Sequence, residues 1–136
     1  MLRYEIEKQL FNGELEVDDL PTAWNSMFKD WFGIEVPEDR LGCLQDIHWS
    51  MGAFGYFPTY TLGNLYAAQL LEAMTSELGD VDDLIGAGDW QPMLDWLRPR
   101  IHARGSLVSP AQIIEDATGS PPSPEPFLRY VERKYG

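Results

Sequence analysis

From Leu2 to Phe11 the apolar positions Leu2, Ile6 and Leu10 recur at helical spacing, flanked by Tyr4 and Phe11, while Glu5, Lys8 and Gln9 face away. The pattern predicts a helix that begins abruptly at Met1 with no capping residue, as expected where a longer helix has been cut, and that stops at Asn12 and Gly13. A second helix, capped by Asp18 or Asp19 with Pro21 in its first turn, runs to about Phe32. It places Leu20, Trp24, Phe28 and Trp31 on one apolar face and ends at Gly33. The next segment, IEVPEDRLG, reads as a loop.

Between Leu41 and Ser50 the period is ambiguous and a short helix is expected. From Ser50 to Pro58 the breakers Gly52, Gly55 and Pro58 predict a tight aromatic turn. Thr59 to Leu78 is helical again; Leu62, Leu65, Tyr66, Gln69, Leu70, Ala73 and Met74 nearly cover two faces, so burial over most of its circumference is expected. Gly79 and the acidic Asp80, Asp82 and Asp83 mark a turn and the start of a short helical segment. Asp89 starts a helix carrying Trp90, Met93, Leu94, Trp96, Leu97 and Ile101; Pro99 should kink or interrupt it, and Gly105 closes it. Ser109, Pro110 and Gln112 form a capping box for a helix that stops at Gly119. Beyond the stiff connector from Pro121 to Pro126, Ser123 and Pro124 start a last helix through Lys134. No strand pattern survives, so the fold class is all-α, over residues 1–136 as a single helical domain or a fragment of one.

Composition narrows the function. A formal net charge of -12 repels phosphate backbones and anionic membrane surfaces, so nucleic acid is not an expected partner. No stretch of about 18 apolar residues exists to span a membrane. The one cysteine, Cys43, has no partner within the chain for a disulfide, and cytoplasm is the expected compartment.

Chemistry concentrates between Gly42 and Gln69. Gln45, Asp46 and His48 lie within four residues and are followed by Trp49, Phe54, Tyr56, Phe57 and Tyr60. A carboxylate that fixes an imidazole tautomer is one reading of Asp46 and His48. Residues two apart do not share a helix face, however, so in a regular helix these two should not touch. The plainer reading is then an ordinary hydrogen-bonded histidine near a helix start. The aromatic run reads as core or as pocket, with the hydroxyls of Tyr56 and Tyr60 suited to oxyanion stabilisation. A metal site from this chain alone is the weakest option, because His48, His102 and Cys43 lack zinc-site spacing.

The run Gly42, Cys43, Leu44, Gln45, Asp46, Ile47, His48, Trp49 resembles the GxxQDxHW motif of the carboxypeptidase Taq (M32) family, matching all five fixed positions. FGYFPTYTLGNLYAAQ, LRYEIEK, DLPTAWN, IHARG and FLRYVERKYG resemble the same family, so the likeness covers essentially the whole chain. It implies the C-terminal helical portion of a zincin-like, mostly helical peptidase fold. That family's enzymes are soluble and zinc-dependent, remove single residues from peptide C-termini and are commonly homodimers. HExxH, HPF, DxRxT and IRxxAD, which would carry the metal, the water-activating glutamate and the substrate arginines, are absent from these 136 residues.

The resemblance therefore implies a chain inactive alone and binding no zinc alone, which contributes one wall of a peptide groove. Gln45, Asp46 and Tyr56 would bind substrate, with His48 and Tyr60 in supporting catalytic roles. Its partners would be a peptide C-terminus and either a second copy or the missing N-terminal portion. A different expectation is a non-catalytic helical module that self-associates or binds a partner through apolar surface.

Overall fold

Periodicity is realised as seven α-helices without a strand in the computed structural model, which describes residues 1–136. The side-chain cap expected from Asp18 or Asp19 does not form on the second helix, and the helix expected to start at Asp89 starts at Gln91, after Trp90. They are α1 (Leu2–Asn12), α2 (Leu20–Phe32), α3 (Pro58–Leu78), α4 (Val81–Ala87), α5 (Gln91–Leu97), α6 (Pro110–Thr118) and α7 (Glu125–Tyr135). No helix is long and apolar enough to cross a membrane. The chain forms two compact units, Met1–Thr61 and Leu62–Gly136.

The first unit packs α1 against α2. Leu2, Ile6, Trp24 and Cys43 are buried together, with Met27, Phe28, Val36 and Trp49 around them. Trp24 stacks on Phe28 at 6.4 Å between ring centroids and meets Trp49 edge-on at 6.2 Å. Trp31, expected on the same face, is instead 48% exposed, and Met27 takes part in the packing. Burial pushes the Cys43 thiol up and Asp39 adds to the effect, which favours the protonated thiol over the thiolate.

The expected helix from Leu41 to Ser50 does not form. A 3₁₀ turn at Asp39–Leu41 leads through irregular turns to a second at Trp49–Met51. Asp46 accounts for much of this: its carboxylate accepts the His48 backbone N–H at 3.1 Å, the group a helix would have directed to Leu44. Gly42 is required on steric grounds. A Cβ there would lie 2.7 Å from Val36 Cγ1 and 3.2 Å from the Trp24 indole, whose N–H has no acceptor. Gly42→Ala is expected to lower the unfolding free energy by about 1–3 kcal/mol through overpacking. Urea unfolding with an unchanged slope is the check.

In the second unit Met74, Val81, Trp96 and Ala117 are buried together against Leu70, Leu71, Met93, Leu97 and Ile101. The expected burial of α3 on most sides is not met: only Gln69 and Met74 are buried, Leu62 is 43% exposed, and Leu65, Tyr66, Leu70 and Leu71 are only partly buried. Asp80 caps α4 by accepting the Asp82 N–H at 2.9 Å. Pro99 interrupts the helix begun by α5: residues Arg98–His102 form a π turn, with Ala103 N–H donating to the Arg98 carbonyl at 2.8 Å.

Ser109 caps α6 by accepting the Gln112 N–H at 3.2 Å. The reciprocal half of that capping box is missing, because the Gln112 amide donates forward to Asp116 at 2.9 Å. Buried Gln69 ties the proline connector down. Its Nε2 donates to Thr118 Oγ1 and to the Ser120 and Pro121 carbonyls, each at 3.1 Å, and its Oε1 accepts the Ser123 N–H at 3.0 Å.

Candidate functional site

The candidate site lies wholly in the first unit, where α1, the irregular segment after Gly42 and the first turn of α3 bring four of the five sequence-predicted residues together. Asp46 Oδ1 accepts both the His48 backbone N–H and, at 3.2 Å, the ring Nδ1–H. With Nδ1–H committed to a carboxylate, Nε2 of the neutral ring accepts a hydrogen bond from the Tyr60 hydroxyl at 3.2 Å. The contact that a regular helix would forbid is made because the segment is not one. The His48 ring stacks on Tyr56 at 5.6 Å and lies 4.9 Å from Phe57, while Tyr56 and Tyr60 meet edge-on at 5.3 Å. Gln45 stands at the periphery, reached by the Arg3 guanidinium at 3.4 Å.

Two further residues belong to this site and were not picked out by pattern. Arg3 Nε donates to Asp46 Oδ2 at 2.5 Å, and the guanidinium lies 4.8 Å from the Trp24 ring and 5.3 Å from the Phe57 ring. Arg3 thus holds the Asp46 oxygen that His48 does not use. Glu7, one helical turn on, is buried and accepts from the Trp49 indole N–H at 2.8 Å and the Gly55 N–H at 3.2 Å. The available signal was position: Arg3 and Glu7 flank Leu2 and Ile6 on the inward side of α1, where charged residues are unusual without partners.

Beside the polar chain is a cleft of about 280 Å³, lined by Leu2, Arg3, Trp24, Phe28, Phe57 and Tyr60 among others. Tyr60 belongs to both. Loss of solvent around its hydroxyl, then the neighbouring Tyr56 and Asp46, push the Tyr60 phenol above the ordinary tyrosine value, although the residue as a whole is half-exposed. The neutral phenol is therefore favoured in the folded state. The stability it adds is full below the ordinary tyrosine value and is lost as pH rises through the folded one. In an ultraviolet titration, the tyrosinate signal removed by Tyr60→Phe is expected to appear above the ordinary tyrosine range.

A metal does not fit these residues. No three His, Cys, Asp or Glu side chains converge on a common point, whereas catalytic zinc takes three protein ligands. What the arrangement offers is an oriented imidazole and a protonated phenol at the edge of an aromatic cleft.

The chain belongs to the carboxypeptidase Taq (M32) metallopeptidase family, whose model it matches over residues 1–135. Among its relatives, Thermostable carboxypeptidase 1 of Thermus thermophilus is 49% identical over 135 residues, 99% of this chain and 26% of that protein. Carboxypeptidase 1 of Bacillus subtilis is 43% identical over 99% of this chain and 27% of its own length. The solved structure of Trypanosoma cruzi metallocarboxypeptidase 1 superposes with a TM-score of 0.93 at 44% identity, covering 98% of this chain and 28% of that one. The chain spans about a quarter of the length of the relatives it matches.

Proposed function

We propose that this chain is the C-terminal part of a zinc-dependent carboxypeptidase and forms one wall of its peptide groove. The observation that carries the reading is the hydrogen-bonded series from Arg3 through Asp46 and His48 to the Tyr60 hydroxyl at the cleft. Asp46 fixes the imidazole. His48 then holds the Tyr60 O–H, which rotates off Nε2 to donate to the carbonyl oxygen of a bound peptide as negative charge develops there. Gln45, Asp46 and Tyr56 take substrate-binding roles in this reading by the family resemblance alone, since none of them lines the cleft. Zinc in the whole enzyme would be held by residues other than these 136 and would supply Lewis-acid activation of water.

The 136 residues alone are expected neither to hold a stoichiometric zinc nor to release C-terminal amino acids. Metal analysis and a peptide assay on the purified chain test this, and one zinc per chain with chelator-sensitive turnover would overturn it. Cytoplasmic location belongs to the same reading and is supported by the single cysteine.

A second reading has its own observation. Leu44, Ile47 and Met51 are 68%, 64% and 68% exposed, and Phe11 is 70% exposed. Such apolar surface suits self-association or a complementary portion of the M32 fold. Sedimentation is expected to show concentration-dependent association; a monomer across a wide range contradicts this reading.

A further inference from the structure

The aromatic turn is anchored on a single buried carboxylate. Glu7 is 3% exposed, and a carboxylate out of water is stable only when its lone pairs are met. Both of its partners are neutral N–H groups of the turn: the Trp49 indole at 2.8 Å and the Gly55 backbone at 3.2 Å. These two donors are the chain neighbours of His48 and Tyr56, one immediately after the first and the other immediately before the second. The His48 and Tyr56 rings stack at 5.6 Å with 24° between planes. Each ring is thus tied, one residue away, to the same carboxylate. Gly55 holds its bond from a left-handed backbone at φ +71, where a side chain would be strained.

We propose that Glu7 is a positioning residue: by clamping Trp49 and Gly55 it sets the stacked pair of His48 and Tyr56, and through His48 the direction of the Tyr60 hydroxyl. It touches no reacting atom. The inference rests on the reading of His48 and Tyr60 given above, and neither the GxxQDxHW stretch nor the aromatic turn contains the residue that does this work. Because Glu7 is separated from its partners by more than 40 positions, it couples α1 to the turn directly.

The test uses the intact 136-residue chain and proton–nitrogen and histidine ring resonances. Only two histidines are present, so His102 serves as an internal reference. In the native chain the His48 ring protons carry displacements from the aromatic rings around them. Glu7→Ala is expected to abolish that displacement and to move the Trp49 indole N–H signal, leaving His102 unchanged and buried Cys43 still slow to alkylate. Glu7→Gln keeps one acceptor oxygen but sets its NH₂ against the other N–H, so part of the displacement is lost. Trp49→Phe removes one donor only and is also expected to shift His48 part of the way.

Unchanged His48 resonances in Glu7→Ala overturn the proposal. If Glu7→Ala exposes Cys43 to rapid alkylation, unchanged His48 resonances in both Glu7→Gln and Trp49→Phe overturn it instead. The readout needs no turnover, so its failure leaves the functional reading standing. Failure of that reading in a peptidase assay leaves the resonances free to move as described.

Discussion

Gln69→Leu is expected to destabilise the chain by on the order of 3 kcal/mol. Leucine matches the shape of glutamine but supplies neither donor nor acceptor. The Ser123 N–H then loses its acceptor, and the Ser120 and Pro121 carbonyls and the Thr118 hydroxyl lose their shared donor. Each buried group left without a partner costs about 1–3 kcal/mol, and the connector's partial exposure lets water recover some of it. Gln69→Glu is the informative companion. It keeps an acceptor for Ser123 N–H while placing an oxygen against three acceptors, so it too is expected to destabilise. Denaturant unfolding measures both, and a midpoint unchanged in either variant would show that the connector is held by something else.

The second large effect is on turnover. Grafted in place of the matching quarter of the Bacillus subtilis relative, to which it is 43% identical, the chain is expected to complete an active enzyme. In that chimera Tyr60→Phe is expected to lower kcat by about 10²- to 10³-fold, the usual effect of removing one oxyanion donor. KM should change little, because the lost interaction strengthens only as charge develops. Phenylalanine retains the ring that meets Tyr56 edge-on at 5.3 Å, so a folding defect is not expected. A fall in kcat of less than about threefold would remove Tyr60 from the chemistry and leave it a packing residue; such a small factor is under about 1 kcal/mol of transition-state stabilisation.

Most helices were legible because their causes are local. Apolar spacing, Ser109 as a cap, the acidic turn at Asp80 before a helix start, and Gly13, Gly33 and Gly119 as stops all act within a turn or two of themselves. The segment after Leu41 was not legible, because its conformation depends on Arg3 and Glu7, some forty residues earlier, and on an Asp46 side chain that competes with the helical backbone. Gln69 was hidden for a related reason. It sits at helical spacing among Leu65, Tyr66 and Met74, and its polar role appears only where the α6–α7 connector meets it. The burial of α3 was overstated because a sequence displays which faces are apolar but not what covers them. Asp46, His48, Tyr56 and Tyr60 could be named from the GxxQDxHW stretch and the turn that follows; their order of hydrogen bonding could not, since it needs the imidazole tautomer that Asp46 selects.

The most direct test of the central claim compares peptide hydrolysis by the isolated 136-residue chain with hydrolysis by the chimera carrying it, both supplied with zinc. The proposed role predicts no release of C-terminal residues by the chain alone and chelator-sensitive release by the chimera. A chimera that folds, binds zinc and fails to release C-terminal residues, or an isolated chain that releases them, would contradict it.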